Sequence, residues 1–183
     1  MSQTVIPGAV AAILLLYVIS AYNRLVRLRN GVDNAFASID VQLKQRCDLI
    51  PKVVDAMRAY MGHERETFDE LTRLREQATG TTAPAERVAL DDRMSGLLRG
   101  LVARAEAYPE LKASDTVTLL QRSLNEVESQ IAAARRSFNA AVTTFNTGID
   151  VFPANLLAGL FGFTRRALFE AAAEDRAVPT VGR

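Results

Sequence analysis

Apolar side chains follow two regimes along this chain of 183 residues. From Thr4 to Tyr22, TVIPGAVAAILLLYVISAY, 19 residues pass without a charge and leave no polar face for water. As a helix the segment would reach about 28 Å, which suits a hydrocarbon core about 30 Å thick. Beyond Asn23 the apolar residues recur at helical spacing. Leu25, Leu28, Val32, Ala35, Phe36, Ile39, Leu43 and Ile50 form one stripe, and Val53, Val54, Met57, Met61, Phe68, Leu71 and Leu74 extend the pattern to about Ala78. Pro51 lies inside this run. It removes one backbone donor and collides with the carbonyl of Cys47, so it either kinks the helix or opens the first turn of a new one. TGTTAPAE (79–86) is a loop by composition. A further helix is expected from about Ala85 to Ala107, with Val88, Met94, Leu97, Leu98, Leu101, Val102 and Ala105 inward. Pro109 breaks it, and Ser114 or Asp115 suits the N-cap of the next.

That next helix carries the strongest periodicity. Steps of three and four from Val117 give Leu120, Leu124, Val127, Ile131, Ala134, Phe138, Ala141, Phe145, Gly148 and Phe152, all apolar but for the glycine. A period of 3.5 residues reads as a coiled-coil-like seam. Burying one seam does not offset the entropy of ordering so long a helix, so it must pack against the others. No alternating strand pattern occurs anywhere. The expectation is an all-α chain: a membrane anchor at 1–23, a long up-and-down four-helix bundle at 24–152, then a hydrophobic short helix and polar tail at 153–183.

Charge sets the direction of the anchor. No Lys or Arg precedes the apolar run, whereas Arg24, Arg27 and Arg29 follow it at once, with Lys44 and Arg46 beyond. Basic residues beside a span stay on the cytoplasmic side, so a few residues lie outside and the body is cytoplasmic. Arg24 and Arg27 can also reach lipid head groups. A cleaved signal peptide would need a basic start and a small-residue cleavage site, and YVISAYNRL supplies neither. Net charge is only +1, so a field suited to nucleic acid is absent. One cysteine, Cys47, excludes an intrachain disulfide and a multi-cysteine metal site.

Several stretches resemble the LemA family: YNRLVRLRNGVDNAFASIDVQLKQRCDLIPKVVDAM (22–57), YPELKAS (108–114) and IAAARRSFNAAVTTFNTGIDVFPANLLAGLFGF (131–163), together with the single N-terminal span. The resemblance implies a membrane-anchored cytoplasmic four-helix bundle with no known enzyme activity. It also implies genomic neighbourhood with HtpX-type membrane metallopeptidases, and a magnetosome branch, MamQ, linked to building membrane compartments. Phe36 stands where the family has Trp, Cys47 where it has Tyr, and Ala133 and Ser137 where it has larger residues. All four read as core positions.

Candidate chemistry is sparse. HERET (63–67) resembles the start of the zinc-protease motif H-E-x-x-H, but Thr67 takes the second ligand position and His63 is the only histidine. A solvated turn is the plainer explanation. Cys47 has no plausible base near it in sequence and reads as a buried small residue. Glu86, Asp91 and Asp92 suit a helix start interacting with its own dipole. Arg135 and Arg136 suit surface pairs with Glu126 or Glu128. Asn139 and Asn146, seven apart beside the seam, either set a pairing register or are simply solvated. No catalytic residue, cofactor or metal ligand is expected. Leu156, Leu157, Leu160, Phe161 and Phe163 crowd together with Arg165 and Arg166 beyond, and form either a cap on the bundle or an exposed patch for self-association or membrane contact.

The expected function is therefore a non-enzymatic scaffold in the cell (inner) membrane. It would contact lipid and self-associate as a homo-oligomer on the cytoplasmic face, organising or remodelling membrane, with no nucleic-acid partner. The alternative is a regulatory or adaptor subunit for a membrane partner such as an HtpX-type metallopeptidase.

Overall fold

α1 runs unbroken from Ser2 to Arg58. The structure, a computed structural model, describes residues 2–169, with side chains from Ile6 onward. The polar tail expected at the C-terminal end therefore lies almost wholly outside the described residues. A short 3-10 turn at Gly62–Glu64 follows α1, then α2 (Arg65–Gly80), α3 (Pro84–Ala105), α4 (Pro109–Lys112), α5 (Asp115–Asp150) and α6 (Ala154–Leu160). The chain is all-α, and the described residues contain no strand.

Two compact units form. One is Ser38–Ala133; the other joins Met1–Ala37 to the chain from Ala134 onward. α1 and α5 each contribute to both.

In the Ser38–Ala133 unit, successive helices alternate in direction. Arg58 pairs with Asp69 at 3.2 Å and Arg75 reaches Cys47, so α2 returns along α1. Arg93 pairs with Glu70 and Arg104 with Glu64, so α3 returns along α2. The core is built from Ile50, Val53, Met57, Met61, Phe68, Leu71, Leu74, Met94, Leu101, Leu111 and Val117.

Pro51 neither breaks α1 nor opens a new helix. The break comes later, where the N–H groups of Tyr60 and Met61 both donate to the Met57 carbonyl and the chain turns back. Met61 is wholly buried at that turn, which carries Phe68, Leu71 and Leu74 back against the half of α1 that precedes it. The pattern continues through Met61 because both arms face one core, although the helix does not. The Ser114 hydroxyl receives the Val117 N–H at 3.4 Å, as its capping role requires.

In the other unit, Leu25 and Val32 of α1 pack on Val142, Phe145 and Ile149 of α5 and on Ala158 of α6. The helices approach closely at Gly148, where a Cβ would stand 2.7 Å from Leu28 Cδ1. Only glycine leaves room there, which is why the one non-apolar seam position carries no side chain. Phe152, the last seam position, is 79% exposed, because α5 ends at Asp150 and the seam ends with it.

Candidate functional site

The apolar end of the unit that contains Leu25 and Val32 is built on α1. From Ile6 to Ile19 its large apolar side chains are exposed, except the half-buried Val18: Ile6, Val10, Ile13, Leu14, Leu15, Leu16, Tyr17 and Ile19. Only 6% of this apolar window is buried inside the protein, so it is no core helix, and it is long and apolar enough to cross a membrane. Packing starts at Ala21 and Leu25. Arg24, Arg27 and Arg29 are all exposed around that first buried turn. Arg29 has a second contact: its guanidinium lies over the Phe163 ring, 5.6 Å from the centroid.

α6 is joined to α5 by Val151–Pro153, and the Phe152–Pro153 peptide is cis. It ends in a glycine cap. Gly162 takes φ +70°, and the Phe163 N–H donates to the Ala158 carbonyl at 2.9 Å. That turn brings Phe163 onto the Phe145 ring and places both Phe161 and Phe163 edge-on to Tyr22, at 4.9 and 5.9 Å. The five residues singled out by sequence are thus divided. Leu156, Leu160 and Phe161 are exposed, whereas Leu157 and Phe163 are half-buried.

Beyond Gly162 an extended strap, Phe163–Phe169, runs back along α5. Asn146 donates from Nδ2 to the Arg166 carbonyl and accepts the Arg166 N–H on Oδ1, both at 2.9 Å. Asn139 does the same for Phe169, at 3.1 and 2.8 Å. The spacing matches on both sides: seven helical residues and three extended ones each cover about 10 Å. Each side-chain amide here uses one N–H donor and its C=O acceptor, the same pair a peptide group presents. Asn146 is buried and Asn139 half-buried, and each bonds the chain's own strap. At the strap's end Phe169 stacks on Phe36 at 6.3 Å and meets Phe138 edge-on at 5.0 Å, with Arg135 over its ring. Arg135 therefore serves the strap, and Glu128 pairs elsewhere.

Within Ser38–Ala133 the candidate polar residues also divide. Asp91 is 1% exposed and accepts from Arg46 at 2.8 Å. Arg46 also donates to the Ser95 hydroxyl and pairs with Glu128, while Ser95 donates to the Asp91 carbonyl at 2.9 Å. Asp91 is thus a core ion-pair member rather than part of a charged helix start. Glu86, in the first turn of α3, does accept from Thr81, and Asp92 is exposed. Sequence reasoning missed Arg46. The signal was its place on the apolar stripe between Leu43 and Ile50, matched by Asp91 and Ser95 one turn apart among Leu90, Met94 and Leu98.

His63 is exposed in the 3-10 turn, and the neighbouring Glu64 is taken by Arg104 at 3.0 Å and by the Thr67 hydroxyl. Among the described residues no three His, Cys, Asp or Glu side chains gather closely enough to hold a metal ion. Burial pushes the Cys47 thiol above its ordinary pKa; Asp91 and Asp48 add to the push, and Arg75 and Arg46 oppose it. A thiol kept protonated in this way is a poor nucleophile. Of the four departures from the family pattern, Cys47 is buried and Phe36 half-buried, but Ala133 and Ser137 are exposed and do not bear on the core.

The LemA family profile matches residues 35–182. The chain belongs to the LemA family. This LemA-family chain is 29% identical over 158 residues to Protein LemA of Metamycoplasma hominis, a match covering 84% of the chain and 71% of that relative. It is 38% identical over 80 residues to magnetosome protein MamQ 2 of Paramagnetospirillum magneticum, covering 44% of the chain and 29% of the relative. To magnetosome protein MamQ of Magnetospirillum gryphiswaldense it is 35% identical over 79 residues, covering 43% and 29%. The match thus spans less than a third of either MamQ protein. None of these names denotes an enzyme activity.

Proposed function

We propose that this LemA-family chain is a non-enzymatic, single-pass membrane scaffold. In this reading Thr4–Tyr22 crosses the inner membrane, a few residues lie outside, and the helical body stands on the cytoplasmic face, held in that sense by Arg24, Arg27 and Arg29. Copies then associate laterally through faces of the body, where Val41 and Leu119 present large apolar side chains to solvent. The observation that carries the reading is the row of outward apolar side chains from Ile6 to Ile19, uncovered by protein until packing begins at Ala21.

Three measurements on the full chain in its native membrane test it. Carbonate washing should leave the protein in the pellet, and its release would refute the span. Protease added outside sealed cells should spare the body, and digestion of the body would reverse the orientation. Cross-linking should trap homo-oligomers. A product containing one other membrane protein and no second copy would replace the scaffold with the adaptor alternative.

A further inference from the structure

We propose that α6 is a second membrane contact, in which Phe152, Leu156, Leu160 and Phe161 enter the lipid leaflet beside the point where α1 leaves it. The proposal rests on the reading of Thr4–Tyr22 as a span. Between Asp150 and Arg165 the sequence carries no charge. These two residues pair at 2.8 Å and close the base of the uncharged loop. Inside the loop α6 is turned opposite to a helix of a water-soluble surface. Its one fully buried residue is the small Ala158, with Leu157 half-buried, while Leu156 and Leu160, one turn apart, are 65% and 77% exposed. Phe152 and Phe161 extend the same apolar exposure at either end.

The position of the patch names its occupant. Phe161 lies against Tyr22, the residue that closes the uncharged run of α1 and the type enriched at lipid–water boundaries. The patch is thereby level with the end of the span, where acyl chains give way to head groups. Arg24 and Arg27 are exposed on the same stretch of α1, the complement of an anionic surface. An apolar helix of this kind, lying in the interface and fixed to a basic surround, is the form in which short segments bind lipid without spanning it.

The chain contains no tryptophan, so a single introduced one reports alone. Leu160→Trp and Leu156→Trp, both at exposed positions, would be reconstituted as full-length protein into vesicles of mixed zwitterionic and anionic phospholipid carrying brominated acyl chains. Leu15→Trp serves as the reference for the span. The expected result is a loss of emission at Leu160 and Leu156 comparable with that at Leu15, with little further loss to aqueous iodide. Loss at Leu15 without loss at either α6 position overturns the lipid contact alone. Quenching there by iodide then means the patch faces water; protection from both quenchers means a second copy or another protein covers it. Loss at neither site, or at α6 alone, overturns the span and with it a contact placed beside the span's exit.

Discussion

Arg75 donates from Nε to the carbonyl of Cys47 at 3.1 Å. That carbonyl is four residues before Pro51, which has no N–H to offer it. A guanidinium from α2 thus fills the vacancy that the proline creates in α1, and the helix passes through unbroken. Arg75→Met should cost about 1.5–3 kcal/mol, the range for a hydrogen bond to a charged group. Pro51→Ala restores the N–H and should remove most of the penalty of Arg75→Met in the double variant. Urea unfolding of the four proteins in detergent measures the coupling, and additive losses would refute the relationship.

Arg46 is the costliest side chain to truncate in this unit. Arg46→Ala takes the guanidinium away from the buried Asp91 carboxyl, and a buried pair broken on one side loses about 3–5 kcal/mol. Replacing both, as Arg46→Met with Asp91→Leu, should recover most of that loss. Glu128→Gln should matter far less, since the Glu128 side chain is 55% exposed and water can replace its charge. Thermal melting of the three variants ranks them.

Cys47 predicts a pH dependence. Its folded pKa lies above its unfolded one, so between the two values the unfolded chain has released a proton that the folded chain retains. This contribution is fully present below the ordinary thiol range and is lost as pH rises through the higher folded value. Stability of the wild type should therefore fall more steeply with alkaline pH than that of Cys47→Ala. In the native protein iodoacetamide should react slowly, and unfolding should release the thiol at once.

The strap should loosen when either asparagine is lost. Asn146→Ala removes two hydrogen bonds from Arg166, and about 1–3 kcal/mol of local protection should go with them. Trypsin should then cut after Arg165 or Arg166 faster than in the wild type, while the Ser38–Ala133 core resists as before. Unchanged cleavage would mean that Phe169 alone holds the segment.

Most of the helical plan was legible because burial and helical period coincide. The seam from Val117 to Gly148 is inward and the break before Pro109 lies where composition puts it, but the loop expected at 79–86 shrinks to 81–83, because α2 runs on to Gly80 and Pro84 opens α3. Other features were hidden for physical reasons. The turn at Met61 lies within an unbroken apolar pattern, since both arms supply one core. Pro51 read as a kink or the first turn of a new helix because the donor that compensates it, Arg75, lies 28 residues beyond the Cys47 carbonyl it serves. Asn139 and Asn146 showed a spacing of seven but no partner, because they bind main chain, which has no sequence code. The outward turn of Leu156 and Leu160 was equally invisible, since composition cannot tell a cap from a patch. It took the contact between Phe161 and Tyr22 to place these residues at the end of the apolar run.

Two amides grip Arg166 and Phe169 by main-chain atoms only. Thr164, Ala167 and Leu168 can therefore mutate without changing how the segment is held. Sequence drift at those three exposed positions leaves the segment's course along α5 unaltered.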